Sequence, residues 1–329
     1  MKSEMHACQW GGIGVELGDL YRSVDSIGGV EELFRKHKLP MNPALLNYGS
    51  FHQSTLDASE CIARVLDTAL TASAVAPEDV DMLILTSADL GFLAADRQFM
   101  PALFERAGLS RALPLALTAQ ECAGLLSALD MGWRFVESGR CSNVLVVSYD
   151  KAASEERRVQ PFGIISDAAV ACMVSAEKPL GLSLRRFALR ADLDGMRGSD
   201  DFASRKALIS AVTGDLLGPE GVVLSDISKV FTTNFFRPLT SFQASCLGLS
   251  PHQLYIDQAP VVGHCLGADP LLNLAMYLRD HPVATSDRLH LLQAYAPGLL
   301  AAMLIEHVGD VTQLGAVQAT ADAMVVQSW

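Results

Sequence analysis

The side chains in this sequence most able to do covalent chemistry are thiols and imidazoles, and one of each stands where local structure would make it reactive. Leu115 to Asp130 reads LALTAQECAGLLSALD: an apolar strand, a polar turn, then Cys122 at the opening of an apolar helix. The unpaired N–H groups and positive dipole end of a first helical turn favour a thiolate, and the small Ala123 and Gly124 let backbone and substrate approach the sulfur. The competing reading of this segment taken alone is a buried structural cysteine. Far downstream, Val261 to Pro270 (VVGHCLGADP) is a glycine-bounded turn leading into the apolar helix that runs to Arg279. It offers His264 as a base and Asp269 as a carboxylate behind it. A free thiol is only a few per cent ionised near neutral pH, so an imidazole partner matters, and a carboxylate fixes that imidazole's tautomer. Without catalysis, Asp269 would serve as the N-cap ahead of Pro270, and the two uses are compatible.

The remaining thiols and imidazoles carry less. The seven cysteines lack CxxC spacing and the density of a disulfide scaffold. Cys8, Cys61, Cys141, Cys172 and Cys246 sit in apolar or helix-patterned surroundings and read as small core residues, while Cys265 merely follows His264. No His or Cys pair falls at structural zinc spacing, so no metal is expected. His52 has no partner nearby in sequence and reads as structural.

The elements that must position Cys122 and His264 alternate along the chain. Apolar, β-branched runs read as strands at 82–85, 143–148, 168–174, 229–233, 289–294 and 302–306. Helical patterns fill 54–73, 101–107, 122–137, 202–217, 239–247 and 267–279. This is an α/β arrangement with buried sheets, and the two halves repeat one order of elements. The join falls at Glu177-Lys178-Pro179-Leu180-Gly181, where charge, Pro and Gly interrupt the apolar pattern.

Bulk properties exclude several classes. A chain of 329 residues, 50% hydrophobic and 19% charged, has ample core for one large or two medium domains. A net charge of −12 without any basic run excludes nucleic-acid binding. No apolar stretch approaches the roughly 20 residues of a membrane span. Met1 to Trp10 carries Lys2, Glu4 and His6 and lacks an apolar signal core, so the expected location is cytoplasmic.

Taken together, these segments resemble the ketoacyl-ACP synthase III branch of the thiolase superfamily over essentially the whole chain. Gly12-Ile13-Gly14-Val15 looks like the first strand of that family, residues 69–89 like its helix-strand unit, QECAGLLSALDMG (120–132) like its nucleophile segment, and GIISDAAVACMVS (163–175) like a worn GDGAAA strand. The resemblance implies a thiolase fold, five-layered α-β-α-β-α with two similar halves. Residues 1–178 would carry the nucleophile Cys122, and 179–329 would carry His264 and Asp269. It also implies a homodimer, in which Phe92 of Asp89-Leu90-Gly91-Phe92 would reach the partner's acyl pocket; a loop aromatic packed in the core is the alternative.

The departures from the family pattern narrow the chemistry. Condensing members carry a His in a His-Gln-Ala-Asn segment and an Asn in a Gly-Asn-Thr-Ser segment, which together stabilise the enolate left by malonyl decarboxylation. Here Phe231-Thr232-Thr233-Asn234-Phe235 places Thr233 or Asn234 at the first position, and Gly263-His264 replaces Gly-Asn at the second. A Thr hydroxyl offers neither a base nor a cation near pH 7. A Cys-His-Asp set suits deprotonation of an incoming hydroxyl or amine instead. This resembles the synthase-III-like acyltransferases of natural-product pathways, of the cervimycin and daunorubicin starter-unit types.

The resemblance therefore implies an acyltransferase with no tightly bound cofactor. It would take an acyl group from CoA or a carrier-protein phosphopantetheine thioester and pass it from Cys122 to a small-molecule acceptor. Oxyanion donors are expected from the Cys122 N–H and from Tyr295-Ala296-Pro297-Gly298, where Pro297 lacks an N–H and shifts the role to Gly298 or Ala296. Thr233 and Asn234 are expected beside them. Arg157 and Arg158 are candidates for a phosphopantetheine phosphate, with a solvated charged loop as the alternative. The family's adenine clamp is not evident around Phe34-Arg35-Lys36-His37. The competing functions are a decarboxylative ketoacyl synthase and a non-catalytic partner in a heteromeric synthase; an esterase is disfavoured because no GxSxG elbow occurs.

Overall fold

The computed structural model describes residues 8–281 and 288–308 and the short strand Gln318–Ala319. Ten strands make the framework. They are β1 (Gln9–Leu17), β2 (Met82–Thr86), β3 (Leu113–Leu117), β4 (Asn143–Asp150), β5 (Ala168–Ser175), β6 (Leu182–Ala191), β7 (Lys229–Phe231), β8 (Leu254–Tyr255), β9 (Leu289–Ala296) and β10 (Leu299–His307). They run in the order β8-β7-β9-β10-β6-β1-β5-β4-β2-β3.

Cut between β6 and β1, this order is one topology used twice. In the first half β2 pairs in parallel with β3 and β4, and β4, β5 and β1 follow antiparallel. In the second half β7 pairs in parallel with β8 and β9, and β9, β10 and β6 follow antiparallel. The two halves meet edge to edge at Trp10 and Leu182.

The strand sequences explain the layering. β4 and β5 are buried at every position, as expected for strands covered on both faces. Successive side chains then go to opposite cores: Val144, Val146, Val170 and Cys172 face one, and Leu145, Val147, Ala169 and Ala171 the other. The inner core lies between the sheets and takes in the helices Gly124–Glu137 and Asp269–Asp280. The outer cores are covered by Ala58–Ser73 with Phe99–Ala107 on one side and by Phe202–Leu217 with Arg237–Leu247 on the other. This is the expected α-β-α-β-α stack.

Local signals set most boundaries. The Ala58–Ser73 helix starts later than its pattern suggested, because the Asp57 side chain accepts a hydrogen bond from the Glu60 amide at 2.8 Å and caps it. Strand β6 was not expected; its sequence LSLRRFALRA carries three arginines on the less buried positions. Both central helices begin with a 3₁₀ turn, Glu121–Ala123 and Leu266–Ala268, instead of opening directly as α-helix.

Candidate active site

Cys122 and His264 occupy equivalent places in the two halves. Each lies in the segment that leaves the outermost parallel strand, β3 or β8, and enters a central helix. The inner layer thus brings both segments to one point.

The turn that carries Cys122 is strained. Ala119 and Glu121 have φ of 68° and 44°, in the left-handed region that side-chain-bearing residues avoid at a cost of about 1–3 kcal/mol each. Gly124 is required next to it, since a Cβ there would stand 2.5 Å from Thr86 Oγ1 at the end of β2. The turn is therefore pressed against the strand ends and packs on β9 and β10.

The three expected catalytic side chains come together. Cys122 Sγ lies 3.8 Å from His264 Nε2, and His264 Nδ1 lies 2.5 Å from Asp269 Oδ2. His264 and Asp269 are completely buried and Cys122 is 5% exposed. Asp269 also accepts hydrogen bonds from the Asn234 amide at 2.6 Å and the Cys265 amide at 2.7 Å, with Nδ1–H of His264 as a further donor to the same side chain. That leaves the Nε2 lone pair facing the thiol. The rings of Phe162 and Phe235 pack on the imidazole in T-shaped contacts, with centroids at 5.6 and 5.4 Å.

Thr233 and Asn234 are engaged in this scaffold. Asn234 Nδ2 donates to the Gly263 carbonyl at 3.0 Å and its Oδ1 accepts from Asn273 at 2.8 Å. Thr233 Oγ1 accepts from the Tyr295 amide at 3.0 Å. Both side chains are buried, and their hydrogen bonds hold Asp269 and β9 in place.

Electrostatics correct one expectation. Burial, foremost, pushes the Cys122 thiol well up, and the Asp150, Asp269 and Glu121 carboxylates push in the same direction. The helix terminus does not by itself yield a thiolate; the adjacent imidazole must take the proton. Asp150 itself was missed in the sequence. It is 3% exposed, and burial raises its carboxyl to about 6 against hydrogen bonds from the Ala88 amide and Ser87 Oγ at 2.8 and 3.0 Å. The available signal was a charge ending the buried run NVLVVSYD, at the carboxyl end of a strand flanked by parallel β2.

The other candidates are dispersed. Arg158, expected to meet a phosphate, is instead buried at 2% exposure, with Nη1 and Nη2 donating to the two oxygens of Asp167 at 2.6 and 2.8 Å. Its charge is consumed inside the protein, where the bidentate geometry offsets desolvation. Arg157 is exposed beside it. Phe92 is half-buried against Phe99 and Tyr149, with centroids at 5.0 and 5.7 Å. Gly298 closes the β9–β10 turn with φ of 69° and abuts Met196 and Asp192 so tightly that no Cβ fits. His52 Nδ1 donates to the Gly18 carbonyl, 2.9 Å away, inside the core. Cys61 and Cys172 are buried and all seven cysteines are free, burial raising the Cys8 thiol to about 12. Among the described residues no His, Cys, Asp and Glu cluster could hold a metal, and no helix is long and apolar enough to cross a membrane. A cavity of about 800 Å³ lined by Lys229, His252, Tyr277 and Glu306 includes none of the Cys-His-Asp residues.

Solved structures share this architecture. ChlB3, an acyltransferase, superposes with a TM-score of 0.77 at 18% identity, covering 92% of this chain and 98% of that one. The 3-oxoacyl-[acyl-carrier-protein] synthase III of Aquifex aeolicus superposes at 0.74 and 18% identity, over 91% of this chain and 100% of its own. The chain has the thiolase fold. A variant of OleA from Xanthomonas campestris matches it at 0.77 and 14% identity, over 92% and 99% of the two chains. Within the thiolase fold, residues 118–193 match the family model for 3-oxoacyl-[acyl-carrier-protein] synthase III, a segment holding Cys122 and Asp150. No curated protein matches the chain.

Proposed function

We propose that the protein is an acyltransferase that carries an acyl group on Cys122 and delivers it to a hydroxyl or amine, without decarboxylation. The observation that carries this reading is the chain Cys122, His264, Asp269, in which one imidazole faces the thiol through Nε2 and is oriented through Nδ1. The condensing alternative calls for a second imidazole to stabilise an enolate; at that place Asn234 is hydrogen-bonded to Gly263, Asp269 and Asn273, and Thr233, which accepts from the Tyr295 amide, offers only a neutral hydroxyl.

In the first half-reaction the Cys122 proton passes to His264 Nε2 as sulfur attacks the carbonyl of a CoA or carrier-protein thioester. The tetrahedral intermediate collapses, and the departing thiolate takes the proton back from His264. In the second, the acceptor O–H or N–H gives its proton to His264 while oxygen or nitrogen attacks the acyl carbon. Collapse releases the Cys122 sulfur, which recovers that proton. The Cys122 amide and a donor from the Ala296–Gly298 turn would serve the oxyanion, and Arg157 remains the candidate for the donor's phosphate. The similarity to ChlB3, an acyltransferase, supports the reaction type, and the match of residues 118–193 to a synthase III model supports a thioester donor.

The test is intact-mass analysis against acyl-CoA and acyl-carrier donors, followed by a chase with hydroxyl and amine acceptors. Acylation is expected at Cys122 and absent in Cys122→Ala. Cys122-dependent release of carbon dioxide from a labelled malonyl thioester would overturn the non-decarboxylative reading.

A further inference from the structure

Asp150 is a buried carboxylate beside the Cys-His pair to which no step above gives a task. It stands at the end of β4, and its neighbours come from three elements. Ser87 and Ala88 follow β2, Ser148 lies on β4 with its Oγ at 3.5 Å, and Gly267 belongs to the 3₁₀ turn between His264 and Asp269. A Cβ on Gly267 would stand 3.7 Å from Asp150 Oδ2 and 3.5 Å from the Cys122 carbonyl, so the carboxylate sits where the nucleophile turn and the base turn meet. The titratable groups in its field are Cys122 and Cys265, His264 and Tyr149.

This placement acts unequally on the two half-reactions. Before acylation the negative charge of Asp150 disfavours a Cys122 thiolate and favours a His264 imidazolium, and the two effects oppose each other. After acylation the sulfur carries no charge, and only the effect on the imidazole remains. We infer that Asp150 is a positioning residue of the transfer step: its carboxylate ties the Ser87–Ala88 turn to the Gly267 turn and favours proton uptake by His264 once Cys122 is acylated. No bond to Asp150 forms or breaks. This inference rests on the proposed acyl transfer.

Two measurements on the full chain test it. In single-turnover assays followed by intact mass, Asp150→Asn is expected to slow transfer from acyl-Cys122 by about tenfold and acylation by much less. Ser87→Ala removes one hydrogen bond to the same carboxylate while keeping its charge, and is expected to leave the ratio of the two rates unchanged. Equal loss in both half-reactions of Asp150→Asn, or no loss in either, would overturn the inference. The second measurement needs no acyl donor: in a His264→Ala background, where only the effect on the thiol remains, iodoacetamide should alkylate Cys122 about tenfold faster near pH 7 once Asp150 is replaced by Asn. If no donor acylates Cys122, the acyltransferase reading fails, while alkylation still reports the charge effect; an unchanged alkylation rate overturns the role given to Asp150. Should Asp150→Asn not fold, alkylation of His264→Ala at pH 5 to 9 supplies the same readout. Its rate should fall less steeply with pH than one thiol titration predicts as Asp150 is neutralised below about 6, and a single-group titration would refute the coupling.

Discussion

Replacing Asp269 by Asn keeps the shape of the side chain and removes one acceptor and the charge. Asp269 Oδ2 accepts from His264 Nδ1 and the Asn234 amide, and Oδ1 accepts from the Cys265 amide and Asn234 Nδ2. The new NH₂ must face one of these pairs. Facing the first, it turns Nδ1 of His264 into an acceptor, moves the ring proton to Nε2 and points a donor at Cys122. Facing the second, it leaves the Cys265 amide opposite a donor and loosens the turn. Either arrangement strands a buried N–H, at about 1–3 kcal/mol of stability. The loss of the oriented, charge-supported imidazole should add about 3–5 kcal/mol to the transfer barrier, or about 10²- to 10⁴-fold in rate. The assay loads acyl-Cys122, follows its decay with acceptor by quenched-flow mass spectrometry, and measures folding separately by urea titration. Transfer within about tenfold of wild type in a folded Asp269→Asn protein would refute the assignment of Asp269 as the orienting group.

Two further outcomes follow from other buried groups. Gly298→Ala would force a Cβ to 2.2 Å from the Met196 amide at a φ of 69°, and a stability loss of at least about 2 kcal/mol is expected in urea titration, with reduced transfer if the β9–β10 turn supplies the oxyanion donor. His290 and His307 are buried in edge contact, 4.7 Å between centroids, and burial lowers them from 6.5 to about 3 and about 4. Because the unfolded chain binds these protons first, stability is fully present above about pH 6.5 and is lost as pH falls toward 4. Urea midpoints at pH 4 to 8 should show that loss, and the double substitution His290→Leu, His307→Leu should flatten it.

The fold was legible where burial repeats at short range. Residues 82–85, 143–148 and 168–174 lie within β2, β4 and β5, and Phe202–Leu217 is helical over the whole expected span, because a strand covered on both faces must be apolar throughout and caps stand beside the helices they end. β6 was hidden because its alternation is diluted by Arg185, Arg186 and Arg190, which form ion pairs or a hydrogen bond with residues distant in sequence. Arg158 misled for a related reason: an arginine in a polar loop looks solvated until Asp167, nine residues on, folds back onto it.

What the sequence determined by itself was the alternation of elements, the thiol at one helix opening, and the His and Asp at the other, since these depend on neighbours within a few residues. Tertiary structure decided the rest. It brought Cys122 to His264 across 142 positions, engaged Thr233 and Asn234 in internal hydrogen bonds, buried the thiol so that its proton is held more tightly, and set Asp150 beside both turns. The physical reason is that solvation and Coulomb interactions depend on distance through space, and a linear chain does not display that distance until its halves are packed.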